Sequence, residues 1–251
     1  MRRLLVYLLA LLSLSAPAWA DPVADEAAAR EAAAAGRFRE AVDLYSRALA
    51  ADEMSADNRS ITHYNRGLAH AALGDMEAAI NDYSRALEYS DQNTIALFSR
   101  GVAHLERGDF ARAVADLSAF LEIYPDHDNA YVSRAYAHTR LGELDKAVED
   151  YSAAIRNSPT VASLYTSRGT VYSLMGRLDD AIADFDTAID LDPDNASAYY
   201  NRGVAYEEKG DPITAYPNFQ QAYKLAPDNP TIRQKMIDTP YVPPSAAQGV
   251  R

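Results

Sequence analysis

Between residues 181 and 189 the apolar side chains fall at Ala181, Ile182, Phe185, Ala188 and Ile189, the offsets of one face of an α-helix. The pattern returns at a fixed interval. Gly74, Gly108, Gly142, Gly176 and Gly210 stand 34 residues apart, and Gly67, Gly101, Gly169 and Gly203 sit seven residues before four of them. Beyond each hinge glycine comes an alanine (Ala41, Ala79, Ala113, Ala147, Ala181, Ala215), and four residues later a bulky side chain (Tyr45, Tyr83, Leu117, Tyr151, Phe185, Phe219). Gly36 joins the grid after a four-residue insertion near Ser55 to Asn58, and Pro125, Pro159, Pro193 and Pro227 punctuate the unit ends. A unit with glycine at its middle and proline at its end predicts two antiparallel helices of about 12 to 14 residues. Repetition of that unit predicts a stack in which each hairpin is stabilised by its neighbours.

With each hinge glycine counted as position 15, the small residue at position 8 and the alanine at position 20 lie about equally far from the turn. They should face each other, with the bulky residue at position 24 wedged beside them. Position 7 is Arg66, Arg100, Arg134, Arg168 and Arg202; position 23 is Asp82, Asp116, Asp150 and Asp184, then Asn218. These positions are also equidistant from the hinge, which predicts structural ion pairs Arg66–Asp82, Arg100–Asp116, Arg134–Asp150 and Arg168–Asp184. Pairing with the preceding repeat's acid is an alternative, but it would give Arg66 the partner Leu44. The first repeat lacks both arginine (Ala28) and acid (Leu44), which favours pairing inside each repeat. A rail of arginines for anionic ligands is the functional alternative, and the neighbouring acids would neutralise it.

Segments such as Tyr199-Tyr-Asn-Arg-Gly-Val-Ala-Tyr206 and Gly176-Arg-Leu-Asp-Asp-Ala-Ile-Ala-Asp-Phe185 resemble the tetratricopeptide repeat (TPR). The resemblance covers six units, about 22–55, 60–93, 94–127, 128–161, 162–195 and 196–229, within a domain spanning 21–229. It implies an all-α fold, a right-handed superhelical solenoid of antiparallel helix hairpins, with the first helix of each repeat lining a concave groove. The ends depart from the pattern. The first repeat opens on an alanine-rich stretch from Ala27 to Ala35, and Pro217 falls inside a second helix, where it should distort a turn. Residues 230–237 offer a short capping helix before a tail, 238–251, with no periodicity and an expectation of disorder. The thin cap could admit a partner or a second copy of the chain; a frayed terminus is the other reading.

The resemblance also assigns the groove wall: Tyr64, Asn65 and Leu68; Phe98, Val102 and Leu105; Val132, Tyr136 and Arg140; Thr166, Thr170 and Leu174; Tyr200, Asn201 and Val204. Glu106, Glu207 and Glu208 add acid. The lysine and asparagine set by which some relatives clamp a C-terminal carboxylate is missing, since position 5 is never lysine and position 9 never asparagine. A peptide or protein ligand with apolar anchors and some basic character is expected.

Composition narrows the function classes. With no cysteine among 251 residues, a disulfide framework, a thiolate metal site, a cysteine nucleophile and a lipidated cysteine are excluded. A formal charge of -12 argues against nucleic acid as a partner. Arg2 and Arg3 precede an apolar run from Leu4 to Leu14, and Ala18-Trp19-Ala20 precedes Asp21, which reads as a cleavable export signal over residues 1–20. An uncleaved membrane anchor is the alternative, although the run falls short of the roughly 20 residues a span needs. Without the signal's two arginines, 22 basic residues face 36 acidic ones, so the mature chain is more acidic still. It is expected to be periplasmic or secreted, with no integral span.

Three histidines share position 11 (His70, His104, His138), but repeats spaced by about 9 to 10 Å cannot bring them to one metal. They are expected to fill the seam as Tyr172 and Tyr206 do. Asp190, Asp192 and Asp194 alternate like a calcium loop, yet Asn195 and Asn201 stand where glycine and glutamate would be required. No phosphate-binding loop, nucleophile elbow or metalloprotease helix is present. No catalytic residue, metal or cofactor is therefore expected. An enzyme using surface carboxylates remains a remote alternative to an exported adaptor or scaffold.

Overall fold

The computed structural model describes residues 21–51 and 54–239; the segment assigned as an export signal and the tail from residue 240 lie outside the described residues. Thirteen α-helices and no strand are found among the described residues. They are α1 (Pro22–Ala34), α2 (Phe38–Leu49), α3 (Ala56–Ala72), α4 (Met76–Tyr89), α5 (Ile95–Glu106), α6 (Phe110–Ile123) and α7 (Asp128–Leu141). Then come α8 (Leu144–Asn157), α9 (Ala162–Leu174), α10 (Leu178–Leu191), α11 (Ala196–Glu208), α12 (Pro212–Leu225) and α13 (Pro230–Asp238). Packing divides the chain into two compact units, Met1–Asp91 and Gln92–Arg251. In each, consecutive helices pack as adjacent pairs, the arrangement of a TPR solenoid.

Every hairpin turns on a glycine with positive φ. At Gly176, φ is +73°, the Gly176 amide donates to the Ser173 carbonyl, and the Arg177 amide donates to the Tyr172 carbonyl at 2.9 Å. This closes the helix end in a left-handed cap that an L side chain would strain. The next helices begin on side-chain caps where the sequence supplies them, as at Asp75 to the Ala78 amide (3.1 Å) and Asn195 to the Ala198 amide (3.0 Å).

The seam within a hairpin depends on the small residue at position 8. A Cβ built on Gly203 would come within 2.6 Å of the Phe219 ring, and one on Gly169 within 2.8 Å of Phe185. The nearest neighbour of position 8 is thus the ring at position 24, with position 20 a secondary contact: the Ala181 carbonyl lies 3.2 Å from the Gly169 Cβ site. Ala181, Ile182, Phe185 and Ala205 form one such buried cluster.

Three elements differ from the sequence expectation. The four-residue insertion is helical: α3 starts at Ala56, not near residue 60, and runs for 17 residues. The extra turn lies ahead of the buried face, so Gly67 keeps its seven-residue distance to the hinge at Gly74, and Arg59 from that turn caps the end of α2 by donating to the Leu49 and Ala51 carbonyls at 3.1 and 2.7 Å. Pro217 does not interrupt α12, and the neighbouring Asn218 side chain donates from Nδ2 to the Thr214 carbonyl at 2.8 Å. Finally, Asp238 ends α13 and Thr239 is buried, so the two residues expected to open the tail are ordered parts of the fold.

Within the second unit, α5 contacts α7 and α9 contacts α11, in addition to the even-numbered helices between them. The exposed faces of these odd-numbered helices are the place to look for a binding surface.

Candidate functional site

Beneath these faces run the arginine rungs. Arg66 donates from Nε to Asp82 Oδ2 at 2.9 Å and from Nη2 to Asp82 Oδ1 at 2.7 Å. Arg100 meets Asp116 (2.8 and 2.7 Å), Arg134 meets Asp150 (2.9 and 2.7 Å) and Arg168 meets Asp184 (2.8 Å twice) in the same two-pronged geometry. Arg202 donates through Nε to the neutral Asn218 at 2.7 Å. Each carboxylate belongs to the arginine's own hairpin.

A further column escaped the sequence reading. Arg66 also donates from Nη1 to Ser46 Oγ (2.9 Å), Arg134 to Ser118 (3.0 Å) and Arg168 to Ser152 (2.9 Å), while Arg202 reaches Asp186. All four acceptors occupy position 25 of the preceding hairpin, so each rung joins two hairpins. The signal was available: Ser46, Ser84, Ser118 and Ser152 repeat in register with the arginines.

Each of the three register histidines lies between two acids of its own hairpin. Nε2 of His70, His104 and His138 lies 3.9 Å from Asp82, Asp116 and Asp150 respectively. Their Nδ1 atoms face the hinge acids Asp75 (4.0 Å), Asp109 (3.6 Å) and Glu143 (2.6 Å). Burial alone would raise the Asp82 carboxyl, but hydrogen bonds from His63 and Arg66 outweigh it and hold the group below the usual range. Burial lowers His104, against the pull of Asp116 and Asp109. Among the described residues no group of three His, Asp or Glu is placed to hold a metal ion, and Asp190, Asp192 and Asp194 lie exposed around the turn after α10.

None of the assigned groove residues is fully buried, but their surroundings differ. The aromatic ones mostly fill seams. Tyr64 lies 5.8 Å from Tyr83, Tyr200 lies 5.9 Å from Phe219, and Phe98 packs on Phe120 and His127 at 5.2 and 5.0 Å. Val132 packs against the cluster of Ala135, Ala147 and Tyr151, and Asn65 and Val204 are half-buried on α3 and α11. On α9 and α11 the polar positions bond one another. Asn201 donates to Thr170 (3.2 Å), Thr170 to the Thr166 carbonyl (2.8 Å), and Asn195 to Thr166 Oγ1 (3.2 Å). Exposed apolar side chains remain at Leu68 (43%), Tyr136 (43%) and Leu174 (60%).

On α5 and α7 the assigned residues converge. Val102, Leu105, Glu106, Ser133, Tyr136 and Arg140, with Arg107, Gly108 and Phe110 from the adjoining turn and α6, line a cavity of about 570 Å³. The Arg140 guanidinium lies over the Phe110 ring at 4.6 Å and donates to the Tyr136 hydroxyl at 2.9 Å. Arg107 and Phe110 were missed because they belong to the hinge, outside the positions that the repeat assigns to the wall. A second cavity of about 470 Å³ is lined by Tyr200 and α13 residues including Lys235, which lies 5.1 Å from the Phe219 ring centre and is paired with Glu207. One of the three acids expected to favour a basic ligand is thereby neutralised within the chain.

Family models for the tetratricopeptide repeat match residues 26–94, 64–128 and 98–162, together more than half of the chain, with further matches at 171–210 and 196–229. The chain belongs to the tetratricopeptide-repeat family and is a TPR-type protein-interaction module. Among solved structures, MamA is 27% identical with a TM-score of 0.62, over 66% of this chain and 96% of that one. MamA from Desulfovibrio magneticus RS-1 is 21% identical with a TM-score of 0.66, over 70% and 99% of the two chains. YrrB, a TPR protein with an unusual peptide-binding site, is 19% identical with a TM-score of 0.63, over 76% and 96%. The last two similarities establish the fold alone. No curated protein matches the chain.

Proposed function

We propose that this chain is an exported adaptor or scaffold of six repeats, released by cleavage after Ala20, that binds a peptide or protein segment on the exposed faces of its odd-numbered helices. The cavity between α5 and α7 carries the reading: about 570 Å³ of open space lies on the face assigned to ligand, walled by side chains from two successive hairpins. YrrB, similar in fold, has a peptide-binding site of its own. The first twenty residues supply the argument for export, and no helix among the described residues is long and apolar enough to cross a membrane. The acid-rich surface has its carboxylates in rungs, caps and exposed helix faces, which supports binding over catalysis.

A photo-crosslinking amino acid placed at Tyr136 should capture a partner in the exported fraction, whereas the same group at exposed Arg112 on α6 should not. Equal capture from both sites would remove the face assignment. Sequencing the mature N-terminus tests export, with Asp21 as the expected first residue. Variants of Leu68, Tyr136 and Leu174 are more informative than variants of Tyr64, Phe98 or Tyr200, whose rings also hold the helix seams.

A further inference from the structure

We infer that the cavity between α5 and α7 receives an acidic side chain of the bound segment, with Arg140 as its partner. This rests on the proposed binding face and adds the chemistry of one subsite. Arg140 is exposed and, among the described residues, forms no ion pair, in a chain where acids outnumber bases by 36 to 24. The rung arginines Arg66, Arg100, Arg134 and Arg168 have their carboxylates two-pronged within their own hairpins. Arg140 has a ring and a phenol instead. Its described hydrogen bond to Tyr136 uses one of five donors.

The place of Arg140 over the Phe110 ring and its bond to the Tyr136 hydroxyl hold the guanidinium before any ligand arrives, which lowers the ordering cost of binding a carboxylate. Tyr136 stands edge-on to the same ring at 6.2 Å, so the three side chains brace one another. The cavity wall adds Arg107, whose Nε lies 3.8 Å from Asp109, and Glu106, so the cation that the lining leaves for a ligand is Arg140. Val102, Leu105 and Phe110 provide apolar walls for the stem of a glutamate or aspartate, and Ser133 a hydroxyl. A peptide residue suits this place better than a free anion because the lining includes the exposed side chains of α5 and α7, beside which the flanking residues of a segment have further surface to cover.

Random peptides displayed on phage, internally and with a free C-terminus, would be selected on the purified chain. An acidic residue at a fixed position is expected. The selected peptide should lose about tenfold in affinity when its acid is changed to the amide, and about the same with Arg140→Gln. The two changes together should cost little more than either alone, and Arg140→Lys should recover part of the loss. Circular dichroism and thermal unfolding of Arg140→Gln should match wild type, since the residue is exposed. Selected peptides without an acid, or an acid whose contribution is unchanged in Arg140→Gln, would overturn the subsite and leave the binding face standing. Selection confined to free C-termini would overturn the side-chain assignment. Failure to select any peptide would overturn both readings.

Discussion

On the α5–α7 face Arg140 lies over Phe110 beside an open cavity, whereas on the α9–α11 face Thr166, Thr170, Asn195 and Asn201 bond one another. Both faces come from the first helices of successive repeats, and Tyr136 and Thr170 share position 9. What separates them is whether each polar side chain already has an acceptor or donor across the seam. A polar group satisfied by its neighbour contributes to holding the hairpins together; one left over beside a cavity is available to a ligand. Repeat position alone therefore says where a side chain sits, and its partners decide what it can do.

The rungs below the two faces give the largest test of this contrast. Asp150→Ala would leave Arg134 half-buried without its carboxylate and should cost about 3 kcal/mol. Asn218→Ala removes only a neutral acceptor, and Arg202 keeps Asp186, so about 1 kcal/mol is expected. Urea denaturation distinguishes them, and equal losses would mean that the two faces rest on equivalent supports. In binding, the contrast reverses. Arg140→Gln should weaken the selected acidic peptide about tenfold, or roughly 1.4 kcal/mol, while Thr170→Val should leave it within about twofold. A larger effect from Thr170 in a titration would place the acid on the wrong face.

Stability should separate the same pair of faces more gently. Thr170→Val removes two hydrogen bonds, from Asn201 and to the Thr166 carbonyl, at a cost of about 1 kcal/mol, whereas Tyr136→Phe removes the one from Arg140 and should stay within about 0.5 kcal/mol of wild type. The smallest effect is expected from protons. Because burial lowers the His104 pKa from 6.5, the unfolded chain takes up that proton more readily than the folded one. Its contribution to stability is complete above 6.5 and falls as pH drops from there through the folded value. Asp82 acts at lower pH: its lowered pKa gives stability complete above 3.8 and lost as pH falls through its folded value. Melting curves at about pH 7 and pH 5 should differ less for His104→Gln than for wild type; an unchanged difference would clear His104 of any role.

The helices and their hinges were legible because glycine at a left-handed turn and small residues against rings leave few substitutes, and both recur at a fixed interval in Gly176 and Gly203. The arginine and aspartate columns were legible for the same reason. Ser118 and Ser152 were not, since serine is common on helix surfaces and its role appears only when the next hairpin is laid against it. The cavity was half visible. Val102, Tyr136 and Arg140 were assigned to the face, but Phe110 and Arg107 come from the hinge, and no spacing rule predicts that a ring after the turn will lie under an arginine of the next hairpin. At Phe98 the position says less than the packing: the half-buried ring also lies against Phe120 in the seam.

The longer α3 sets a rule about which length changes this chain can absorb. The extra turn precedes the buried face, and Gly67 keeps the seven-residue distance to its hinge that Gly101, Gly169 and Gly203 keep to theirs. Within a helix each added residue rotates one part against the other by about 100°, so two residues inserted between Gly67 and Gly74 would swing Thr62 and Gly67 by about 200° and turn them toward water. Length should therefore be admitted at the junction between hairpins and refused between seam and hinge. The junction marks the place where an engineer could lengthen the protein without redesigning either neighbour.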